Sequence, residues 1–456
     1  MGRAWHHGVA AAALAAQGAC AQVPAPAPAP AHAPLADCVA SLRRELPSHS
    51  QVRPETFEAH VRNVQDLRPL IDGATQSQPE FQLHIWDYLA RRTDAQRAAQ
   101  GRELMQREAR ALAVIERQHG VDAATIVAVF GVETDYGRVG GAHPVVDATL
   151  SRACLNLGST ERRANFFSAL WLLQEGLVQA DTFKGSWAGA FGMTQFMPAT
   201  FVKHMADGDG SGVPDIVNSV PDALATTANY LRGLGWADGM PWGIEVKVPE
   251  GVALEWNALE RDHGCLQQAK PAGKCRSLAQ WRAEGAVRVD GAPLYAASSV
   301  DEPLDGATPA ALLMPAGPLG PAWLVTPNYQ AIWRYNRADA YGLAIGLLSD
   351  ALRGGPTQRT PWPTDDLGLS RVEFRELQAL LARRGHCEVV VDGADGPRTG
   401  AAIRTEERRL GWAETGRGGS RMLAALRAGV GSDDHCAPGA VAMPASAPEG
   451  PASAPK

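Results

Sequence analysis

The sequence predicts a mainly α protein with one small β insertion, followed by a smaller unit at its C-terminal end. Three observations carry this expectation. Apolar residues recur at helical spacing from residue 37 to Leu234 and again over Asn328–Leu352. Strand-like alternation is confined to Pro241–Val325. A stretch rich in Pro, Thr and Gly, residues 354–366, then separates a last segment of about residues 367–430, as an interdomain linker would.

Taken in order, residues 1–21 read as a secretory signal. Arg3 and two His precede an Ala-rich core from Gly8 to Ala16, and Ala19-Cys20-Ala21 forms an A-x-A cleavage site. Residues 22–36 follow as a tether, alternating Pro and Ala from Val23 to Pro34, which cannot bury a core. Residues 37–118 read as Arg-rich amphipathic helices, among them Phe57–Leu67 and Glu80–His119. An apolar helix then opens after Asp122, a good N-cap, and is expected to stop at Gly137. Helices continue through Asn229–Leu234. In the insertion, Ile244-Glu245-Val246-Lys247-Val248 and Ala286-Val287-Arg288-Val289 alternate as strands do. Helix returns at Asn328–Leu352, and residues 437–456 form a Pro/Ala/Ser tail expected to be disordered.

With 456 residues the chain is long enough for two or three domains. A net charge of −6 offers no basic surface for nucleic acid. No stretch after the N-terminal run is apolar enough to span a membrane. Export to the periplasm is the expected fate. The alternative is a lipid anchor through Cys20, which the polar Gln17 disfavours, standing where a lipobox has a bulky aliphatic residue. If Cys20 leaves with the signal, six of the seven cysteines remain, an even number that suggests disulfides in an oxidising compartment. Cys265 and Cys275 bracket a short loop. Cys387 and Cys436 share the C-terminal unit, which leaves Cys38 with Cys154. None has the spacing of a zinc site.

Chemistry concentrates in IVAVFGVETDYG, Ile126 to Gly137. Ile126, Val129, Phe130 and Glu133 fall on one helical face, so Glu133 shares its surroundings with apolar side chains. A carboxyl there loses hydration, which favours its protonated form. Cleavage of a glycosidic bond needs such an acid, one able to give its proton to a leaving oxygen. The blander alternative is a Glu at a frayed helix end, paired with Arg138. A second segment, KGSWAGAFGMTQFMP (Lys184–Pro198), packs Gly and Ala around Ser186, Trp187, Gln195 and Phe196. Small residues let backbone approach a ligand, while hydroxyl, amide and flat apolar groups suit a sugar.

The pairing of GVET with KGSWAGAFGMTQFMP closely resembles the lytic murein transglycosylase B family, lysozyme-like enzymes that cut the glycan strands of peptidoglycan. The resemblance continues through VPDALATTANYLRGLGW (Val220–Trp236) and NYQAIWRYNRADAY (Asn328–Tyr341), and spans roughly Asp37–Leu352. It implies a lysozyme-like α+β catalytic domain over residues 37–353. It also implies that Glu133 acts as general acid and then base on the β-1,4 bond from N-acetylmuramic acid to N-acetylglucosamine, leaving a 1,6-anhydro ring. Ser186 and Gln195 would position the sugar, with Tyr230, Tyr335, Tyr341 and Asn336 along the groove. Tyr335 and Tyr341 share one helical face only if the segment bends. Asp135 faces away from Glu133 on a helix, and Asp147 could serve as a second carboxylate only if a loop folded back. A muramidase hydrolysing the same bond is the rival enzyme, and a non-catalytic wall-binding protein is the rival from another class. The expected partners are peptidoglycan strands and cell-wall synthesis proteins, with a monomeric chain and no required cofactor.

ELQALLARRGHCEVVVDGADGPRTGAAIRTEERRLGW resembles the small three-helix peptidoglycan-binding domain, with Asp392-Gly393 as a tight turn and Thr399 capping the next helix. Thr405-Glu406 stands where that motif has Phe-Gln. This unit, residues 367–430, is expected to anchor the enzyme without catalysing. HMADGDGSGVPDIVNSVPD (His204–Asp222) places Asp207, Asp209, Ser211 and Gly212 at EF-hand-like spacing, but Asn218 stands where a bidentate Glu is expected. The resemblance allows a longer loop. The expected set for a structural Ca²⁺ is then Asp207, Asp209, Ser211, the Val213 carbonyl and Asp222; a metal-free Asx/Gly turn is the alternative.

Overall fold

The computed structural model describes residues 32–75, 83–257, 266, 275–295, 304–355 and 358–429. The stretch read as an export signal, most of the stretch read as a tether, Cys20, Cys265, Cys436 and the stretch read as a C-terminal tail lie outside the described residues.

Four of the helices that build the main domain start where a side chain accepts an orphan backbone N–H. Asp94 caps Ala95–Arg107, Asp122 caps Ala123–Thr134, Ser159 caps Thr160–Gln174 and Ser219 caps Val220–Gly233. Every residue of Ala123–Thr134 is buried except Glu133. This helix packs against Asp339–Leu352 and Val220–Gly233 in the largest hydrophobic core, with Phe130, Leu224, Tyr341, Leu343 and Leu348. A second core gathers Leu42, Phe57, Leu150, Phe166, Phe167, Phe191 and Phe201. The Cys38–Cys154 disulfide ties its first helix, Leu35–Glu45, to the helix Val145–Leu155. Cys275 and Cys387 are also disulfide-bonded.

The insertion is a five-stranded antiparallel sheet. Its spatial order is Arg276–Ser277, Pro309–Leu313, Ala322–Val325, Gly243–Lys247, Val287–Arg288, and Trp281, Leu278, Ile244 and Leu324 fill its own core. Residues 358–366 of the linker are anchored on the main domain. Arg359 and Thr360 donate backbone N–H groups to Glu245 at 2.9 and 2.7 Å, and Trp362 lies between Trp86 and Trp323.

The C-terminal unit holds three helices, Arg371–Arg383, Pro397–Arg409 and Ser420–Arg427, around Phe374, Leu377, Leu381, Ile403 and Leu423. It is docked on the main domain through charges. Arg417 reaches Asp87 with two contacts of 2.8 Å and also pairs with Asp366. The Arg91 guanidinium pairs with Asp395 at 3.1 Å and covers the Phe374 ring at 4.0 Å. Gly368 sits so close that a Cβ there would lie 2.5 Å from the Trp86 carbonyl oxygen, so only glycine fits.

Several sequence expectations need correction. The first helix begins at Leu35, inside the stretch read as tether. Helix over Phe57–Leu67 stops at Val61 and restarts at Arg68, because Asn63 and Asp66 favour turns and Pro69 suits a first helical turn. Asn328–Leu352 is two helices, Pro327–Asn336 and Asp339–Leu352, divided by Arg337 in the left-handed region at φ 54°. Thr399 does not cap its helix, which starts from Gly396; its hydroxyl is buried and accepts from Gln378 at 3.3 Å.

Candidate active site

The buried helix Ala123–Thr134 brings Glu133 to the edge of the core at its last turn. The Tyr341 hydroxyl donates to Glu133 Oε1 at 2.7 Å, and Tyr341 is itself only 2% exposed. The break at Arg337 makes this possible, because it folds the second helix back on the first. Tyr335 and Tyr341 therefore stack, with ring centroids 6.1 Å apart and planes at 22°. Tyr335 donates to the Thr194 carbonyl at 2.7 Å, while Tyr230 meets its ring edge-on at 5.2 Å and Phe196 closes the wall at 5.6 Å. Burial, reinforced by the nearby Glu133 charge, pushes both the Tyr335 and Tyr341 phenols well above the ordinary tyrosine range. Both rings keep their protons, and Tyr341 remains a donor to the carboxylate.

The glycine-rich segment forms the facing wall. Lys184–Gly185 pairs with His143–Pro144, and the chain then doubles back through a bridge between Phe191 and Phe196. Ser186 shapes the turn: its Oγ accepts from the Ala188 and Ala190 N–H groups, each at 3.2 Å. A Cβ on Gly189 would lie 2.5 Å from Thr149 Cγ2, which explains that glycine. Gln195 adopts φ 53° and donates to the Gly192 carbonyl at 2.9 Å. Thr134 joins the two walls, donating to the Met193 carbonyl at 2.5 Å and accepting from Gly137 N–H at 3.0 Å.

Two cavities meet at this point, with Thr134 and Val139 lining both. One, of about 360 Å³, includes Lys184, Gly192, Met193 and Gln195. The other, of about 350 Å³, runs from Glu133 past Tyr88 and Arg92 to Arg375, Asp392 and Asp395 of the C-terminal unit. The other carboxylates of that second cavity are each held. Asp135 pairs with Arg97, Arg138 and Arg371, Asp395 pairs with Arg91, and Asp392 accepts from Gln378 Nε2 and Ala394 N–H. Asp147 sits on the helix Val145–Leu155, lines neither cavity, and is raised by burial.

Of the residues singled out in the sequence, Glu133, Tyr230, Tyr335 and Tyr341 form one cluster, and Gln195 lines the adjoining cavity. Ser186 lies in the turn beside it, and Asn336 ends the helix just before the break. The helix does not run on to Gly137. It ends at Thr134, where Asp135 and Tyr136 both take left-handed conformations, at φ 54° and 60°. Burial alone would raise the Asp135 carboxyl, but Arg97, Arg371 and Arg138 outweigh it and hold it below the usual range. Arg97 is pushed down to about 10 by burial and then by Arg371. Nothing in the spacing of these residues announces the cluster, because Arg371 lies 236 positions from Asp135.

In the Asp207–Asp222 loop, oxygens of Asp207, Asp209 and Asp222 lie within 4.8 Å of one another. Asp222 is fully buried and accepts from the backbone N–H groups of Gly208, Asp209 and Asp215 at 2.7, 3.1 and 2.8 Å. The Ser211 hydroxyl donates to the Val213 carbonyl at 3.2 Å. Three hard oxygen donors at this separation fit a cation such as Ca²⁺.

Residues 35–350 match the family model of the Transglycosylase SLT domain, and residues 370–426 match a peptidoglycan binding domain. The chain is 30% identical over 245 residues to the membrane-bound lytic murein transglycosylase B of Escherichia coli K12. That alignment covers 51% of this chain and 58% of the relative's length. Crystal structures of SltB3 from Pseudomonas aeruginosa, in complex with NAG-anhNAM-pentapeptide and with NAG-NAM-pentapeptide, share 36% identity with a TM-score of 0.63. The match covers 86% of this chain and 99% of theirs. The soluble lytic transglycosylase SltB1 of the same organism is similar at 25% identity and a TM-score of 0.58, over 70% of this chain and 99% of its own.

Proposed function

The chain belongs to the Transglycosylase SLT domain family, and from that premise we propose that it is a peptidoglycan lytic transglycosylase. The observation that carries the reading is the Glu133–Tyr341 pair, set between the tyrosine wall and the glycine-rich turn. Glu133 gives its proton to the glycosidic oxygen as the bond to C1 of N-acetylmuramic acid breaks, releasing N-acetylglucosamine as an alcohol. The resulting carboxylate takes the proton of the muramic C6 hydroxyl as that oxygen bonds to C1. The ring closes, the acid is regenerated and no water is consumed. Tyr341 fixes the rotation of the carboxyl through Oε1. Ser186, Gln195, Tyr230, Tyr335 and Asn336 are assigned to holding the sugars. A hydrolase would ordinarily need a second carboxylate to activate water or form a covalent intermediate. Those that share the Glu133 cavity are held by cations or by N–H donors, which favours the ring-closing route over a muramidase.

Mass spectrometry of sacculus digests tests this. Anhydro products, lighter than hydrolysed ones by a water, support the reading, whereas hydrated products alone would establish the muramidase. The same substrate assigns the site of action to the cell envelope, with peptidoglycan strands as partner and the C-terminal unit as a second contact with the wall. No helix among the described residues is long and apolar enough to cross a membrane. The Asp207–Asp222 loop is assigned a structural Ca²⁺ held by Asp207, Asp209 and Asp222, outside the chemistry.

A further inference from the structure

Behind Glu133, the catalytic helix ends in an unusual way. Asp135, Tyr136 and Gly137 are three successive left-handed residues, at φ 54°, 60° and 84°. Asp tolerates this conformation but Tyr136 carries a side chain that disfavours it, and successive left-handed residues are rare, so surrounding contacts hold the turn. The Tyr136 hydroxyl donates to the Arg97 carbonyl at 2.9 Å, and Arg97 Nη1 donates to the carbonyl of Gly131, in the last turn. The Asp135 carboxylate meets Arg97 at 3.3 Å, Arg138 at 3.0 Å, and Nη1 of Arg371. Arg371 comes from the other domain. It is the first residue of the helix Arg371–Arg383, fixed by the Ser370–Glu373 capping box. Its Nε also reaches Asp94 at 2.8 Å, and Asp94 caps the helix that carries Arg97. The Arg371 and Asp94 side chains are only 9% and 4% exposed.

We propose that Arg371 is a positioning residue for Glu133. By bridging Asp94 and Asp135 across the domain interface, it holds the left-handed end of the catalytic helix, so the peptidoglycan-binding unit helps to build the catalytic centre as well as contacting the wall. Arg138 is half exposed and Arg97 is already committed to the Gly131 carbonyl. Without Arg371, two neighbouring carboxylates would share too little buried positive charge. Asp135 would turn towards water, and the helix end that aims Glu133 would loosen with it. Arg417 provides the contrast. It is also a docking arginine, but its partners are Asp87 and Asp366, neither of which belongs to the catalytic helix or its left-handed end.

The proposal rests on Glu133 being the catalytic acid, and the test keeps the two apart. Release of anhydro-muropeptides from sacculi is measured for the full chain as wild type, Glu133→Gln, Arg371→Ala, Arg371→Lys and Arg417→Ala, with pelleting on insoluble peptidoglycan and thermal midpoints alongside. Arg371→Ala should lower kcat by about tenfold or more, as expected for a small misplacement of a reacting group. KM and pelleting should stay within about twofold. Arg371→Lys should recover part of the rate, because an ammonium can serve one carboxylate but not bridge both. Arg417→Ala should keep kcat within about twofold. Wild-type kcat in Arg371→Ala would overturn the proposal, and so would an equal loss in Arg417→Ala, which would reveal general undocking. If the alanine variant does not fold, a folded lysine variant with wild-type kcat overturns it equally. Full activity in Glu133→Gln would instead remove the functional reading itself.

Discussion

Glu133 and Asp135 are two carboxylates a single residue apart, yet they sit in opposite surroundings. One faces stacked tyrosines and receives a phenol hydrogen bond; the other is enclosed by three guanidiniums. The helix ends between them, and the left-handed turn that begins at Asp135 carries the second carboxylate among the cations. The comparison teaches that chemical role follows from the neighbours and not from the residue type. A carboxyl bordered by weakly polar rings can exchange a proton during a reaction, whereas one held by guanidiniums stays ionised and acts as a fixed charge.

The largest effect should come from the aromatic side. Glu133→Gln keeps the shape but cannot give and recover a proton, so turnover on sacculi should fall by about 10²–10⁴-fold while pelleting on peptidoglycan is kept. Retention of appreciable activity would break the comparison at its centre. On the charged side, Asp135→Ala should appear first as instability, about 3 kcal/mol in denaturant unfolding, because it strips the partner from buried arginines. The pH dependence has a definite sign. The Asp135 pKa is held down in the folded state, so its contribution is complete above the ordinary Asp value of about 3.9 and is lost as pH falls through the lower folded value. Asp135→Asn should therefore flatten the acid side of the stability profile, and an unchanged acid limb would show that the guanidiniums do not hold the charge. Tyr341→Phe keeps the ring and removes only the hydrogen bond to Glu133. A kcat reduction of about tenfold, with KM little changed, would sharpen the view that this bond orients the carboxyl. The smallest effect belongs to the Asp207–Asp222 loop. With Kd of roughly 10⁻⁴–10⁻³ M, millimolar calcium should add about 1 kcal/mol and raise the melting midpoint by about 1–2 °C relative to EDTA, without altering turnover. Equal midpoints would make the loop an ordinary turn.

The aromatic side was legible in the sequence because its signals are local. Glu133 follows an apolar helical run, and the glycine-rich turn announces itself by composition. Tyr335 and Tyr341 can share a face only if the segment bends, and the left-handed Arg337 supplies the bend, though their stacking is not readable from the sequence. The charged side was not legible. On a continuing helix Asp135 would face away from Glu133; the helix instead ends at Thr134, and Asp135 lines the same cavity within a cluster completed by Arg371 from another domain, and no periodicity links positions so distant. The same cluster explains why the helix stops at Thr134 and not at Gly137: its cations stabilise a left-handed Asp where sequence reasoning expects glycine. The seating of the linker was not legible either, since Pro and Thr mark a break in helix but say nothing of Trp362 lying between two other indoles.

The hydrogen bond from Tyr341 to Glu133 spans 208 positions, with the entire β insertion between its ends. Closing such a contact costs the conformational entropy of the long segment between its ends. The Ala123–Thr134 helix is buried against Asp339–Leu352, so the helix that carries the acid and the group that orients it depend on the same distant stretch of chain. A chain cut short before Tyr341 therefore lacks both the packing partner of that helix and the hydrogen bond that aims Glu133.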